Sequence, residues 1–155
     1  MSPRLTLAAA MTLVACTAGG PKPDIQPLDC TEIGCSDGLD GMFSPAFTAQ
    51  GAYVFTLEAE GFTSTCTGQL PLDEDFVCKG DLQVTRSGSA LPDSEHSLPS
   101  FRIFSSGFAE FSLTVTLDGA EVASWNVSPQ WDTIQPNGAG CDPICDVADV
   151  TLSWP

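Results

Sequence analysis

The sequence predicts an all-β protein: an antiparallel, immunoglobulin-like β-sandwich of seven or eight short strands, cross-linked by three disulfides. Three observations carry this. Apolar and polar residues alternate with period two in one segment after another, no segment sustains a helical period, and six of the seven cysteines, an even set, fall within residues 30–145.

A first strand is expected over residues 39–48. In residues 52–60, Tyr53, Phe55, Leu57 and Ala59 oppose Thr56, Glu58 and Glu60, and such alternation puts one side of a strand on a core and the other in water. Glu60-Gly61 turns the chain into residues 62–70, where Cys66 shares a side with Phe62 and Leu70. Residues 76–86 follow as a single strand, with Cys78 on the side of Leu82 and Val84, so Cys66 and Cys78 are expected to face each other from neighbouring strands. Residues 87–100 hold Leu91-Pro92 and Leu98-Pro99 among serines and acids and read as a long exposed loop. A short strand over residues 101–104 precedes one over 110–117 that buries Phe111, Leu113, Val115 and Leu117. Asp118-Gly119 signals a hairpin, because both central residues of a type I′ turn take positive φ; residues 121–128 are its second arm. After a loop over 129–145, the last strand, residues 147–154, buries Ala148, Val150, Leu152 and Trp154. Residues 30–155 are thus one sandwich domain.

The start of the chain is an address. Arg4 precedes an apolar run, residues 5–15, too short for a stable membrane-spanning helix, so residues 1–15 read as a removed export signal. The run ends in Leu13-Val14-Ala15-Cys16, which resembles the lipobox of bacterial lipoproteins: an aliphatic residue three before the cut, a small one at the cut, then cysteine. The Cys16 thiol would carry a diacylglycerol, with a third chain, commonly palmitate, on the freed amine. Several acyl chains, at roughly 0.8 kcal/mol per buried methylene, make such an anchor effectively permanent. The alternative is an ordinary secretory signal that happens to end before a cysteine. Residues 16–29 are the lipidated cysteine and a proline- and glycine-rich flexible tether reaching about 40 Å at full extension. Thr17 stands where an aspartate would signal inner-membrane retention, so the expected location is the outer membrane, facing the periplasm or the cell surface. The lipid is the only membrane attachment expected.

Removal of residues 1–15 takes Arg4 from five basic side chains and nothing from twenty acidic ones, moving the formal charge from −15 to −16. A surface this acidic repels phosphate backbones and anionic lipid, and nucleic acid is excluded as a partner. Its plain role is to keep an envelope protein soluble; cation binding is the alternative.

Cys30, Cys35, Cys66, Cys78, Cys141 and Cys145 remain, in an oxidising compartment. Cys66 is expected to bond Cys78, and the two terminal pairs to bond each other, as Cys30 with Cys145 and Cys35 with Cys141. Local bonds, Cys30 with Cys35 and Cys141 with Cys145, are the rival, and a four-thiolate zinc site is a further alternative. Taken singly, the short closure contributes about 3 kcal/mol and each long one about 4.7 kcal/mol.

The frames Cys30-Thr-Glu-Ile-Gly34-Cys35-Ser-Asp37-Gly38-Leu39 and Pro136-Asn137-Gly138-Ala-Gly140-Cys141-Asp-Pro143-Ile-Cys145 resemble a group of uncharacterised bacterial lipoproteins with these two cysteine boxes. The resemblance spans the domain from end to end and implies its fold and address; it implies no activity.

Chemical motifs are few. Gly34-Cys35-Ser36-Asp37-Gly38 matches the serine-hydrolase elbow, which works on a strand-to-helix turn that is not expected here. His96 is the only histidine, so any Ser-His-Asp proposal must use it, and it is expected in a solvated loop; a buried, hydrogen-bonded His96 would reopen that reading. Carboxylate pairs arise by chance among twenty acids. Asp73-Glu74-Asp75, and Asp37 with Asp40, are candidates for structural calcium, though neither has EF-hand order. Trp131, in a loop, is the best candidate for stacking on a sugar, whereas Trp125 and Trp154 lie in strand patterns. The expected function is that of a lipid-anchored envelope protein, not an enzyme, without cofactor or metal, that binds an envelope protein or glycan or contributes structure. Trp131 and Asn137, in a loop pinned by two cysteines, are the expected binding surface, and Trp131→Ala is expected to leave stability nearly unchanged. A carbohydrate- or calcium-dependent binding module is the alternative, and a small hydrolase stands third.

Overall fold

The computed structural model describes residues 30–154; the expected export signal over residues 1–15, the expected lipid attachment at Cys16 and the expected tether lie outside the described residues. Ten strands form two five-stranded sheets. Sheet A has the order β5 (Leu82–Ser87), β6 (Ser97–Ile103), β1 (Gly38–Phe47), β10 (Cys145–Ser153), β9 (Asp132–Ile134). Sheet B has the order β4 (Val77–Lys79), β3 (Phe62–Leu70), β2 (Gly51–Ala59), β7 (Phe111–Leu117), β8 (Ala120–Val127). Neighbours are antiparallel except β1 and β10, the first and last strands, which run parallel.

The all-β sandwich is as expected, but ten strands replace seven or eight. The expected single strand over residues 76–86 breaks at Gly80, at φ +85°, where the chain leaves sheet B and enters sheet A. The expected loop over 129–145 contains β9, which pairs with β10. The expected loop over 87–100 ends early, because β6 begins at Ser97 and Leu98 is fully buried. Pro99 hides that strand in the sequence. It falls where β6 breaks register with both β1 and β5, the places a sheet tolerates a residue lacking N–H.

Alternation does the rest. Leu39, Phe43, Phe101 and Ile103 from sheet A meet Tyr53, Phe55, Leu57, Phe111 and Val115 from sheet B in one buried cluster. Phe43 lies 5.8 Å from Phe55, ring centre to ring centre, and Phe101 lies 6.5 Å from Phe111, so aromatic rings close the gap between the sheets. The hairpin turn has the expected form, with Asp118 at φ 49° and Gly119 at φ 81°. Asp118 also clips the start of β2, its Oδ1 accepting from the Ala52 N–H at 2.9 Å.

Strand direction gives the sandwich two ends. At one, here called the base, lie the chain's entry at Cys30, the turns at 60–61 and 80–81, and the loops over 104–110 and 135–144. At the other, the top, lie residues 48–50, 71–76 and 88–96 and the Asp118-Gly119 turn.

Three disulfides are present, Cys66 with Cys78 as expected, from directly opposed positions of β3 and β4. The terminal boxes pair as Cys30 with Cys141 and Cys35 with Cys145. This corrects the expected Cys30–Cys145 and Cys35–Cys141 bonds, and it excludes both the local bonds and the zinc site. The reason is the parallel pairing of β1 and β10. Gly38 sits beside Val147, so the segments leading into the two strands run side by side in the same direction and their cysteines match first to first. The nested pairing would suit antiparallel strands.

Candidate functional site

The outward positions of sheet A line up in rows across four strands. Gln83 is opposite Arg102, Arg102 opposite Asp40, and Asp40 beside Asp149, while Thr85, Ser100, Met42 and Thr151 form the next row. Period-two alternation turns these side chains to solvent while Leu39, Phe43, Phe101 and Ile103 turn inward. Between the rows lies a depression of about 480 Å³. Gly41 and Phe101 are among its lining residues, although both positions turn inward and the Phe101 ring fills, on the core side, the space that a Gly41 Cβ would take.

Arg102 is the focal charge of this face. Its Nη1 donates to both carboxylate oxygens of Asp40, at 2.8 and 3.1 Å, and its guanidinium lies 5.5 Å from the centre of the Phe104 ring. These contacts fix the guanidinium and the Asp40 carboxylate, and strand pairing sets beside them a side-chain amide, hydroxyls and the Asp149 carboxylate, donors and acceptors interleaved. Such a grid can hold a polar ligand by many hydrogen bonds. It holds no histidine, thiol or other activated nucleophile.

The residues singled out in the sequence lie elsewhere. Trp131 is half-buried at the base; its Nε1–H donates to the Phe108 carbonyl at 2.9 Å, and its ring meets Phe108 edge-on at 5.0 Å. Asn137 is only 9% exposed, its Oδ1 accepting from the Thr31 hydroxyl at 2.7 Å and the Ile33 N–H at 2.8 Å, its Nδ2 donating to the Asp142 carbonyl. Both are corrected from binding surface to structure: Trp131 packs the base, and Asn137 ties one cysteine box to the other. All three tryptophans spend their indole N–H on a main-chain carbonyl, Trp125 on Ser153 and Trp154 on Pro45.

His96 is corrected too, from solvated to buried, at 4% exposure. Its Nδ1 accepts from the Leu72 N–H at 2.9 Å, which leaves Nε2 to carry the hydrogen and donate to the Leu91 carbonyl at 3.1 Å. Both ring nitrogens are therefore committed to main chain, and the ring clasps residues 71–76 to residues 88–96. In the elbow-like segment, Cys35 is disulfide-bonded and the Asp37 carboxylate accepts from the Asp146 N–H at 2.8 Å, strapping the entry segment to β10.

Three of the acids singled out for calcium are exposed carboxylates already paired with protein donors. Asp75 pairs with Arg86 at 2.5 Å, Asp40 with Arg102, and both Asp73 oxygens accept from the Gln69 amide at 2.6 Å. That amide holds the exposed Asp73 carboxyl below its ordinary pKa. Among the described residues no group of three or more His, Cys, Asp or Glu side chains is placed to hold a metal ion.

The sheet A face escaped sequence reading. Its signal, the outward positions 83 and 85, 100 and 102, 40 and 42, 149 and 151, polar except for Met42, is visible as alternation, but only strand order brings them together. Comparison with protein-family models, curated proteins and solved structures gives no match for this chain.

Proposed function

We propose that this chain is a lipid-anchored cell-envelope protein, attached through Cys16 to the outer membrane, whose sandwich is a non-enzymatic binding or structural domain. The two cysteine boxes and the lipobox support kinship with the bacterial lipoproteins they resemble. The observation that carries the binding reading is the row Gln83, Arg102, Asp40, Asp149, fixed across four strands beside a depression of about 480 Å³. His96 is buried and hydrogen-bonded, the condition that would reopen the hydrolase reading, but its two ring nitrogens are taken by the Leu72 N–H and the Leu91 carbonyl rather than by a serine or an acid, which weighs against it. The carbohydrate alternative draws support from the same face, since interleaved donors and acceptors suit hydroxyls, and it no longer needs Trp131.

Two measurements test this. Intact-mass analysis of protein from the native membrane should give a chain beginning at Cys16 with added acyl mass, and Cys16→Ser should leave unprocessed precursor; normal processing of that variant ends the lipoprotein reading. Co-sedimentation of the purified protein with isolated cell envelopes should weaken at least tenfold when Gln83, Arg102 and Asp149 are changed together to alanine. Equal sedimentation would remove the sheet A face as the site.

A further inference from the structure

We infer that the base of the sandwich is a membrane-contact surface, resting its exposed isoleucines on the headgroup–acyl boundary of a zwitterionic phospholipid layer. The inference rests on the lipid anchor proposed above. Of seven exposed large hydrophobic residues among the described residues, four sit at the base: Ile33, Phe104, Ile134 and Ile144, at 54, 51, 38 and 56% exposure. Ile33 lies between Cys30 and Cys35, and Ile144 between Cys141 and Cys145, so the two disulfides that join these boxes bring the isoleucines to one end. Ile134 is the strand partner of Cys145. Phe104 follows Ile103, whose partner Leu39 is at the start of β1.

These side chains are exposed although their backbones are fixed. The Ile33 N–H is held by Asn137, and Ile134 is held within β9. Apolar side chains pinned outward by disulfides cannot retreat into the core, so they lose little freedom on meeting an apolar partner.

The chain itself names that partner. The segment that enters at Cys30 begins at the lipid-bearing Cys16, with thirteen residues between them. Its reach of about 40 Å keeps the base near the bilayer. At such confinement the effective concentration of lipid surface is in the millimolar range or above, so a patch too weak to bind from solution engages once the anchor is inserted. Charge selects the lipid. Glu32, Asp37, Asp142 and Asp146 flank the isoleucines and repel an anionic surface. The strands then stand on the membrane, with the sheet A face looking sideways and the His96 clasp outward.

The test uses the full mature lipidated protein in phosphatidylcholine vesicles with bromine at a shallow acyl position, a short-range quencher of indole. An Ile144→Trp variant should lose at least half of its added fluorescence, and Ile33→Trp should behave alike, while Val77→Trp on β4 should be unaffected. Replacing half the lipid with phosphatidylglycerol should reduce the quenching at least twofold. If the protein fails to float with vesicles or lacks acyl mass, the anchor reading fails. If it floats but the base variants are quenched no more than Val77→Trp, the anchor stands and the contact surface is overturned. Shielding that follows protein density and ignores bromine would assign the patch to a second copy of the chain and also overturn it.

Discussion

Tyr53 shows how one side chain sets a pH limit. It is 1% exposed, its hydroxyl donates to the Ala49 carbonyl at 2.8 Å, and burial first, then the Asp118 carboxylate, raises its pKa. A raised pKa means that the folded state holds this proton more tightly than the unfolded one. The resulting stability is complete below about pH 10, the unfolded value, and is lost as pH rises through the folded value. Tyr53→Phe should cost about 1 kcal/mol at neutral pH, for the lost hydrogen bond, and flatten the alkaline limb of a urea-denaturation series; an unchanged limb would place the alkaline sensitivity elsewhere. Trp131→Ala should cost about 3 kcal/mol, because it removes both a half-buried ring packed against the core and an indole hydrogen bond, reversing the expectation of unchanged stability. Site residues were poorly legible for a shared reason. Trp131, Asn137 and His96 sit in segments whose composition reads as loop, yet each is drawn inward by main-chain partners distant in sequence, at Phe108, Ile33 and Leu72.

Among the elements, β1 and β6 meet at a place where a missing side chain matters. Gly41 faces inward and the Phe101 ring lies where its Cβ would be, so Gly41→Ala should destabilise by about 2 kcal/mol or more through overpacking. Phe101→Leu in the same chain should recover part of that loss. A double-mutant cycle with no coupling would mean that the strands separate instead. Strand identity was largely legible, since alternation marks β2, β3, β7, β8 and β10 directly. The misreadings have physical causes. Gly80 breaks a continuous pattern to change sheets, Pro99 disguises β6, and β9 has three residues, too few to show a period.

At the scale of the whole molecule, the two long disulfides are not independent. Cys30–Cys141 closes a loop of 111 residues and is worth about 4.7 kcal/mol by itself. Once it is closed, Cys35–Cys145 closes a ring of only about nine residues, five on one side and four on the other, worth roughly 2.7 kcal/mol. Replacing either bridge with serines should therefore cost about 2.7 kcal/mol, and replacing both about 7 kcal/mol, in urea denaturation; equal, additive losses near 4.7 kcal/mol each would contradict the shared loop. The same pair decides how the molecule carries tension. A pull applied ahead of Cys30 and beyond Ser153 passes from Cys30 or Cys35 straight into Cys141 or Cys145, so residues 36–140 lie outside the load path. With both bridges intact the domain can lengthen only by peeling β10, nine residues or about 30 Å of chain, against roughly 430 Å after reduction. Strands β1 to β9, including Gln83, Arg102 and Asp40, thus stay slack under a force that would otherwise unravel them.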